Sequence, residues 1–216
     1  YILLKKRNWL LLLLYLSLPL SMNLNELNAS TTDTDFDKIF QNHISLISNL
    51  HWTPLRIAFK ALAWLTQKEN AKILDVGSGI GKFCIIGAIT TKAQFVGIEQ
   101  RKNLVKISKK IIEKNSIPNT HFILGNFIDH NFETYTGIYL YNPFWENITN
   151  DILIDHKIPI SSELFDTYNK TLSAKLSNLK QGTRVVTYLM REDEIPTCYS
   201  IIDAAFDSKL LLWERK

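Results

Sequence analysis

The segment best equipped for chemistry is Asp75-Val76-Gly77-Ser78-Gly79-Ile80-Gly81. It closes an apolar stretch, Lys72–Val76, that reads as a buried strand, and it opens a helical stretch, Lys82–Thr91. Glycines there let the backbone turn sharply and approach a ligand with no side chain in the way. Their spacing narrows the choice of ligand. A dinucleotide fingerprint needs glycine at its first, third and sixth positions, and the sixth counted from Gly77 is Lys82. A phosphate-cradling loop needs glycine where Val76 stands and a hydroxyl residue where Phe83 stands. Neither pattern is met. The acid Asp75 suits a cationic ligand better than an anionic one.

Further positions with chemical potential follow in order along the chain. Phe95-Val96-Gly97-Ile98-Glu99 places an acid at the end of the next strand. A carboxylate there can accept both hydroxyl protons of a ribose. Gly125-Asn126-Phe127 follows a third strand, and Tyr141-Asn142-Pro143-Phe144-Trp145 follows a fourth. The Asn142 carbonyl and a nearby backbone carbonyl can accept the hydrogens of an amine and aim its lone pair. An aromatic at Phe144 or Trp145 can pack on a planar base or beside a cation. No strong general base is evident among these residues.

Taken together, the marks resemble the class I, seven-strand methyltransferases that use S-adenosylmethionine. In that family the glycine loop backs the methionine part of the cofactor, whose sulfonium and ammonium are positive. The resemblance implies a cofactor-binding set of Thr53, Asp75, Gly77, Ser78, Gly79, Gly81, Glu99, Asn126, Phe127 and Asn142. Many members carry an acid where Asn126 stands, bonded to the adenine amine; an amide can do the same. Asn142-Pro143-Phe144 is similar to the Asn-Pro-Pro-Tyr/Phe signature of methyltransferases acting on nitrogen, with Phe144 replacing the second proline. Asn142, Pro143, Phe144 and Trp145 are therefore the expected catalytic residues.

From about Asn49 to Lys216 the chain looks like a bacterial branch of the family. Its Asp-Val-Gly-Ser-Gly-Ile-Gly-Lys with a later Asn-Pro-Phe is similar to the non-SET histone-lysine methyltransferases of the disruptor-of-telomeric-silencing type. Those enzymes have Asn-Asn-Phe, so Pro143 is a departure in the substrate half. His51-Trp52-Thr53-Pro54 sits where such enzymes close over the methionine end, which makes Thr53 the expected partner of the cofactor carboxylate. The implied activity is methyl transfer to an amine nitrogen of a protein lysine or a similar acceptor. A nucleic-acid base amine is the alternative acceptor. A non-catalytic S-adenosylmethionine-binding module is the alternative role, and Asn142 argues against it.

The elements that must position these residues alternate between strand and helix. Strands are expected at Lys72–Val76, Ala93–Ile98, His121–Leu124, Gly137–Tyr141, Thr183–Tyr188, Tyr199–Ala205 and Lys209–Arg215. Helices are expected at Lys82–Thr91, Lys102–Asn115 and Ser161–Leu179. Two more precede the sheet, one through Phe36, Phe40, Ile44, Ile47 and Leu50, and one at Pro54–Gln67. This order predicts an α/β, Rossmann-like seven-strand sheet, mainly parallel, with helices on both faces. The tight Asp207-Ser208 turn between the last two strands predicts a hairpin and hence one antiparallel strand near the C-terminus.

At 216 residues the chain can bury one full core, and 46% hydrophobic with 21% charged residues is ordinary for a globular domain. The net charge of +4 comes without a long basic run, so it is compatible with a nucleic-acid or acidic partner without requiring one. Cys84, Cys198 and the five histidines stand in no metal-ligand spacing, so no metal is expected and the cysteines read as free thiols of a cytoplasmic protein. Lys5, Lys6 and Arg7 precede an apolar run, Trp9–Leu20, similar to a secretory signal but short for a bilayer span. Residues 1–21 are therefore set apart as a non-core or spurious extension, with membrane association or export, or a core helix, as the alternatives. Residues 22–35 are expected to be flexible and 36–216 to form the methyltransferase domain.

Overall fold

The structure is a computed structural model that describes residues 24, 27–28, 30–40, 48–149 and 153–216. The basic-apolar run at 1–21 and the middle of the helix expected after Phe36 lie outside these residues.

Seven strands form one sheet. They are β1 (Lys72–Val76), β2 (Gln94–Glu99), β3 (Thr120–Leu124), β4 (Gly137–Tyr141), β5 (Arg184–Tyr188), β6 (Tyr199–Ala205) and β7 (Leu210–Arg215). Their order is β3-β2-β1-β4-β5-β7-β6. Strands β1 to β5 pair in parallel, and β7 runs antiparallel to both of its neighbours. This is the expected Rossmann-like sheet with one antiparallel strand in a C-terminal hairpin. Phe206, Asp207 and Ser208 make the tight turn, all with positive φ.

The helices are α1 (Asp33–Asp37), α2 (Ser48–His51), α3 (Leu55–Leu65), α4 (Lys82–Thr90), α5 (Lys102–Lys114) and α6 (Ser162–Ser177). Successive strand residues point to opposite faces, and β1 shows the consequence. Ile73 packs in a cluster with residues of α3, α4 and α5, whereas Leu74 and Val76 join the cluster that holds Tyr168, Leu172 and Leu176 of α6. A strand buried on both faces is apolar throughout, which is why Lys72–Val76 reads as a continuous run. Ser161 caps α6 as its residue type suggests, its Oγ accepting the Leu164 N–H at 3.1 Å.

The N-terminal part packs on the domain. Helix α1 starts at Asp33, inside the segment expected to be flexible, and Leu24 is buried. Lys82, at the start of α4, is buried with its ammonium 2.7 Å from Asp33 and 2.9 Å from Asp37. Asp33 also accepts the Leu55 N–H at the head of α3, at 3.0 Å. These bonds tie the segment to the domain, and none of them is visible as a local pattern.

Strand order reverses at β1 and β4. Connections leave these two strands in opposite directions and open a crevice beyond their carboxyl ends. Among the described residues, no helix is long and apolar enough to cross a membrane.

Candidate active site

A cavity of about 660 Å³ lies at that crevice. Every strand end that flanks it contributes. Gly77 and Gly79 follow β1, Glu99 ends β2, Asn126 and Phe127 follow β3, and Asn142, Pro143, Phe144 and Trp145 follow β4. Nine of the residues marked in the sequence therefore share one cavity.

The glycine loop is shaped by close approach. Gly77 and Gly79 take left-handed backbone, at φ +75° and +56°. A Cβ at Gly79 would stand 2.5 Å from Trp52 Nε1, and one at Gly77 would stand 3.1 Å from the Pro143 side chain. Both positions need glycine for space as well as for φ. The loop also spends its backbone donors internally. The N–H groups of Gly77 and Ser78 donate to the Ile98 carbonyl at 2.9 and 3.0 Å, and that of Gly81 donates to Ser78 at 2.8 Å. The Gly79 N–H donates to Glu99 at 3.1 Å.

Glu99 is thereby fixed in place. Its other oxygen accepts the Arg101 N–H at 2.7 Å. Burial pushes its carboxyl above the usual range, and the bonds from Arg101 and Gly79 oppose that shift. Arg101 is itself buried between Glu146 and Asp155, to which its guanidinium donates. This clasp draws the segment after β4 toward the end of β2.

Four marked residues do not line the cavity. Asp75 is buried beneath the loop against α4, where the Cys84 thiol donates to it at 3.6 Å. Burial lifts its pKa to about 7, and Glu99 adds to the effect while the Cys84 bond opposes it. Ser78 packs against Gly97 of β2. Gly81 caps α4 and faces Phe122. Thr53 is buried with its hydroxyl 3.0 Å from that of Tyr139, so its polar group is already engaged away from the cavity.

The opposite wall is aromatic. Phe127 stacks on Phe144 with centroids 5.0 Å apart, and Tyr168 meets both rings. Asn126 is held by two bonds, accepting the Ile128 N–H at 3.1 Å and donating to the Tyr168 hydroxyl at 2.8 Å. Its oxygen retains capacity for one further donor. Asn142 holds a positive φ of +36°, and no described residue hydrogen-bonds its side-chain amide. Trp145 stands at the rim, 47% exposed.

Several lining residues escaped sequence reasoning, among them His51, Arg101, Tyr141, Glu146, Tyr168 and Leu189. His51 and Tyr141 lay in marked segments without being singled out themselves. Burial lowers the His51 pKa, Glu146 opposes this, and Arg101 adds to it.

Residues 67–209 match the family model described as a methyltransferase domain. The chain belongs to this methyltransferase family. Solved structures agree in fold. The methyltransferase is similar to an RNA methyltransferase from Salinibacter ruber in complex with S-adenosyl-L-homocysteine, at 20% identity and TM-score 0.52, over 76% of this chain and 91% of that one. It is also similar to TrmN from Thermus thermophilus, at 14% identity and TM-score 0.56, over 74% of this chain and 48% of that one. The putative methyltransferase yhhF from Escherichia coli matches at 14% identity and TM-score 0.55, over 76% of this chain and 86% of that one. No curated protein matches the methyltransferase in sequence. At these identities the solved structures establish the class I fold alone.

S-adenosylmethionine is the cofactor of this methyltransferase. The residues suit it. Glu99 offers a fixed carboxylate to a ribose, Gly77 and Gly79 put bare backbone at the cavity wall, and Trp52 and His51 carry buried nitrogens without partners among the described residues. The aromatic wall beside Asn126 suits a flat base.

Proposed function

We propose that the methyl acceptor is an amine nitrogen, that of a protein lysine or a similar aliphatic amine. The observation that carries this reading is the state of Asn142. It follows β4 at the cavity, its backbone is held in a left-handed turn ahead of Pro143, and its amide is unpaired among the described residues. The bound cofactor supplies an electrophilic methyl on a sulfonium. The chain must then hold the acceptor's lone pair in line with that methyl, and a carbonyl that accepts an amine hydrogen does this. The likeness of Asn142-Pro143-Phe144 to the signature of methyltransferases acting on nitrogen supports an amine acceptor.

An aliphatic amine arrives protonated and must release a proton to expose its lone pair. His51 is suited to receive it. It lines the cavity, burial lowers its pKa and so favours the neutral imidazole, and its Nε2 has no partner among the described residues. An amine would have to be neutral, through release of its proton or through desolvation at the cavity, before it could take the methyl.

A nucleic-acid base amine is the second reading. Trp145, nearly half exposed at the rim, offers a stacking face, and the Salinibacter ruber neighbour is an RNA methyltransferase. Charge favours the first reading. Arg101 is the one Lys or Arg among the described lining residues, and its guanidinium is committed to Glu146 and Asp155, so it is not free for a phosphate. The test is transfer from cofactor carrying a labelled methyl into a cell lysate, followed by separation of protein, nucleic acid and small molecules. Label recovered as methyl-lysine or another methylamine supports the proposal. Label confined to nucleobases supports the second reading, and label on oxygen or carbon overturns both.

A further inference from the structure

We propose that the indole N–H of Trp52 donates the hydrogen bond to the carboxylate at the amino-acid end of the cofactor, in place of Thr53. The proposal rests on S-adenosylmethionine being the cofactor and is independent of the acceptor.

The argument begins with the supply of donors around the glycine loop. A carboxylate brought there needs N–H or O–H groups, and most are already spent. The N–H groups of Gly77, Ser78 and Gly81 are bound to backbone carbonyls, and that of Gly79 is bound to Glu99. The Thr53 and Tyr139 hydroxyls share one bond at 3.0 Å and keep one proton between them, but both residues are buried and off the cavity. The Arg101 guanidinium donates to Glu146 and Asp155.

Two donors around the loop remain unmet among the described residues, and of these the Ser78 hydroxyl faces Gly97 off the cavity, whereas Trp52 lines it. Trp52 is 3% exposed, and its buried Nε1 has no hydrogen-bond partner among the described residues. It sits over Gly79 at the point where a side chain would otherwise stand, since a Cβ there would meet Nε1 at 2.5 Å. A buried donor with no acceptor carries the full cost of its lost hydration, so native proteins rarely leave one unmet. Trp52 lines the cavity, so an acceptor group of the bound ligand is the partner that completes the site.

The chemistry of indole selects which part of the ligand. An indole N–H only donates. It cannot bind the ammonium of the amino-acid end, and the carboxylate is the strong acceptor beside it. A bond to an ionised acceptor is also stronger than a neutral one. His51 Nε2 is buried and unpartnered as well, but an imidazole nitrogen accepts or donates, so it does not single out an anion. Asn142 follows β4 beside the proline that packs on Gly77, whereas Trp52 packs on Gly79.

Calorimetry with two ligands tests this. S-adenosylhomocysteine carries the amino-acid end, and 5′-methylthioadenosine shares its adenosine and thioether but lacks that end. Trp52→Phe keeps the aromatic ring and removes the donor. It should weaken S-adenosylhomocysteine about tenfold, the scale of one charge-assisted hydrogen bond, and leave 5′-methylthioadenosine within about twofold. Equal loss for both ligands, or none for S-adenosylhomocysteine, overturns the proposal. Thr53→Val should leave the preference between the ligands unchanged; a loss selective for S-adenosylhomocysteine there, and absent in Trp52→Phe, returns the role to Thr53. The unmodified protein gives a second measurement that needs no variant to fold. The Trp52 indole N–H proton resonance should move downfield with S-adenosylhomocysteine and stay put with 5′-methylthioadenosine. The same response to both ligands counts against the assignment.

Discussion

Asn142 and Leu189 both take left-handed backbone, at φ +36° and +55°, and each directly follows one of the register partners Tyr141 and Tyr188 on the adjacent strands β4 and β5. Both line the cavity. Left-handed backbone costs a side-chain-bearing residue energy, less for Asn than for Leu. Such strain persists where the surroundings dictate it, and it gathers at functional sites. Here the Tyr141 and Tyr188 rings pack with centroids 4.8 Å apart, and the chain bends away from the sheet immediately after both. The bend holds Asn142 at the cavity by packing beneath it.

Asn142→Ala should therefore keep S-adenosylmethionine affinity within a few-fold while turnover falls by about 10²-fold, as for loss of one pre-organised polar group at a reacting centre. Asn142→Asp should retain part of the activity, because a carboxylate still accepts amine hydrogens. Asn142→Gly separates the amide from the backbone. It should be more stable than Asn142→Ala by about 1 kcal/mol, because glycine tolerates the positive φ, and equally slow. A fast Asn142→Gly enzyme in single-turnover kinetics would show that the turn, and not the amide, matters.

Glu99→Ala should weaken S-adenosylhomocysteine by at least ~1–2 kcal/mol in calorimetry, the scale of charged hydrogen bonds lost from a buried carboxylate. The same change leaves the Gly79 and Arg101 N–H groups without their acceptor, so some loss of stability should accompany it. Binding of S-adenosylhomocysteine unchanged by Glu99→Ala would remove Glu99 from the cofactor site.

Lys82→Met should destabilise the protein by roughly 3–5 kcal/mol in urea unfolding, because it strands the buried carboxylate of Asp37 and part of that of Asp33. Asp37→Asn leaves Lys82 its bond to Asp33 and should cost less. Combining Lys82→Met with Asp37→Asn should recover part of the loss of the first. Additive costs in that pair would mean that the two groups do not interact.

Asp75 makes stability depend on pH in a definite direction. Its folded pKa, about 7, is raised from 3.8 chiefly by burial. A raised acid favours the folded state while it is protonated, so its contribution is full below about pH 4 and is lost as pH rises through about 7. Asp75→Asn, unfolded by denaturant without cofactor, should show a flatter profile across that window. A slope identical to that of the parent would place the titrating group elsewhere.

The order of the elements was legible in the sequence because it depends on local rules. Apolar runs of strand length, helical spacing and turn residues reproduce β1, β4 and β6 with their observed bounds and bring the other strands within one residue. That marked residues would gather at one cavity was legible for the same reason. A ligand that approaches the backbone at a strand end requires glycines at short, fixed separations, and Gly77, Gly79 and Glu99 meet at the cavity accordingly.

What the tertiary structure decided is the direction of side chains and the pairing of distant ones. Asp75 and Glu99 are both acids at strand ends, yet Asp75 sits within the β1 ladder opposite Gly97 and Tyr139 and is buried toward α4, while Glu99 terminates β2 at the cavity. Thr53 and Trp52 are neighbours in the chain, and the path of the backbone after α2 gives the hydroxyl to Tyr139 and the indole to Gly79. Lys82 with Asp33, and Arg101 with Glu146, are separated by 49 and 45 residues. No periodicity carries such contacts, because a charge finds its partner through the packing of whole elements and not through spacing along the chain.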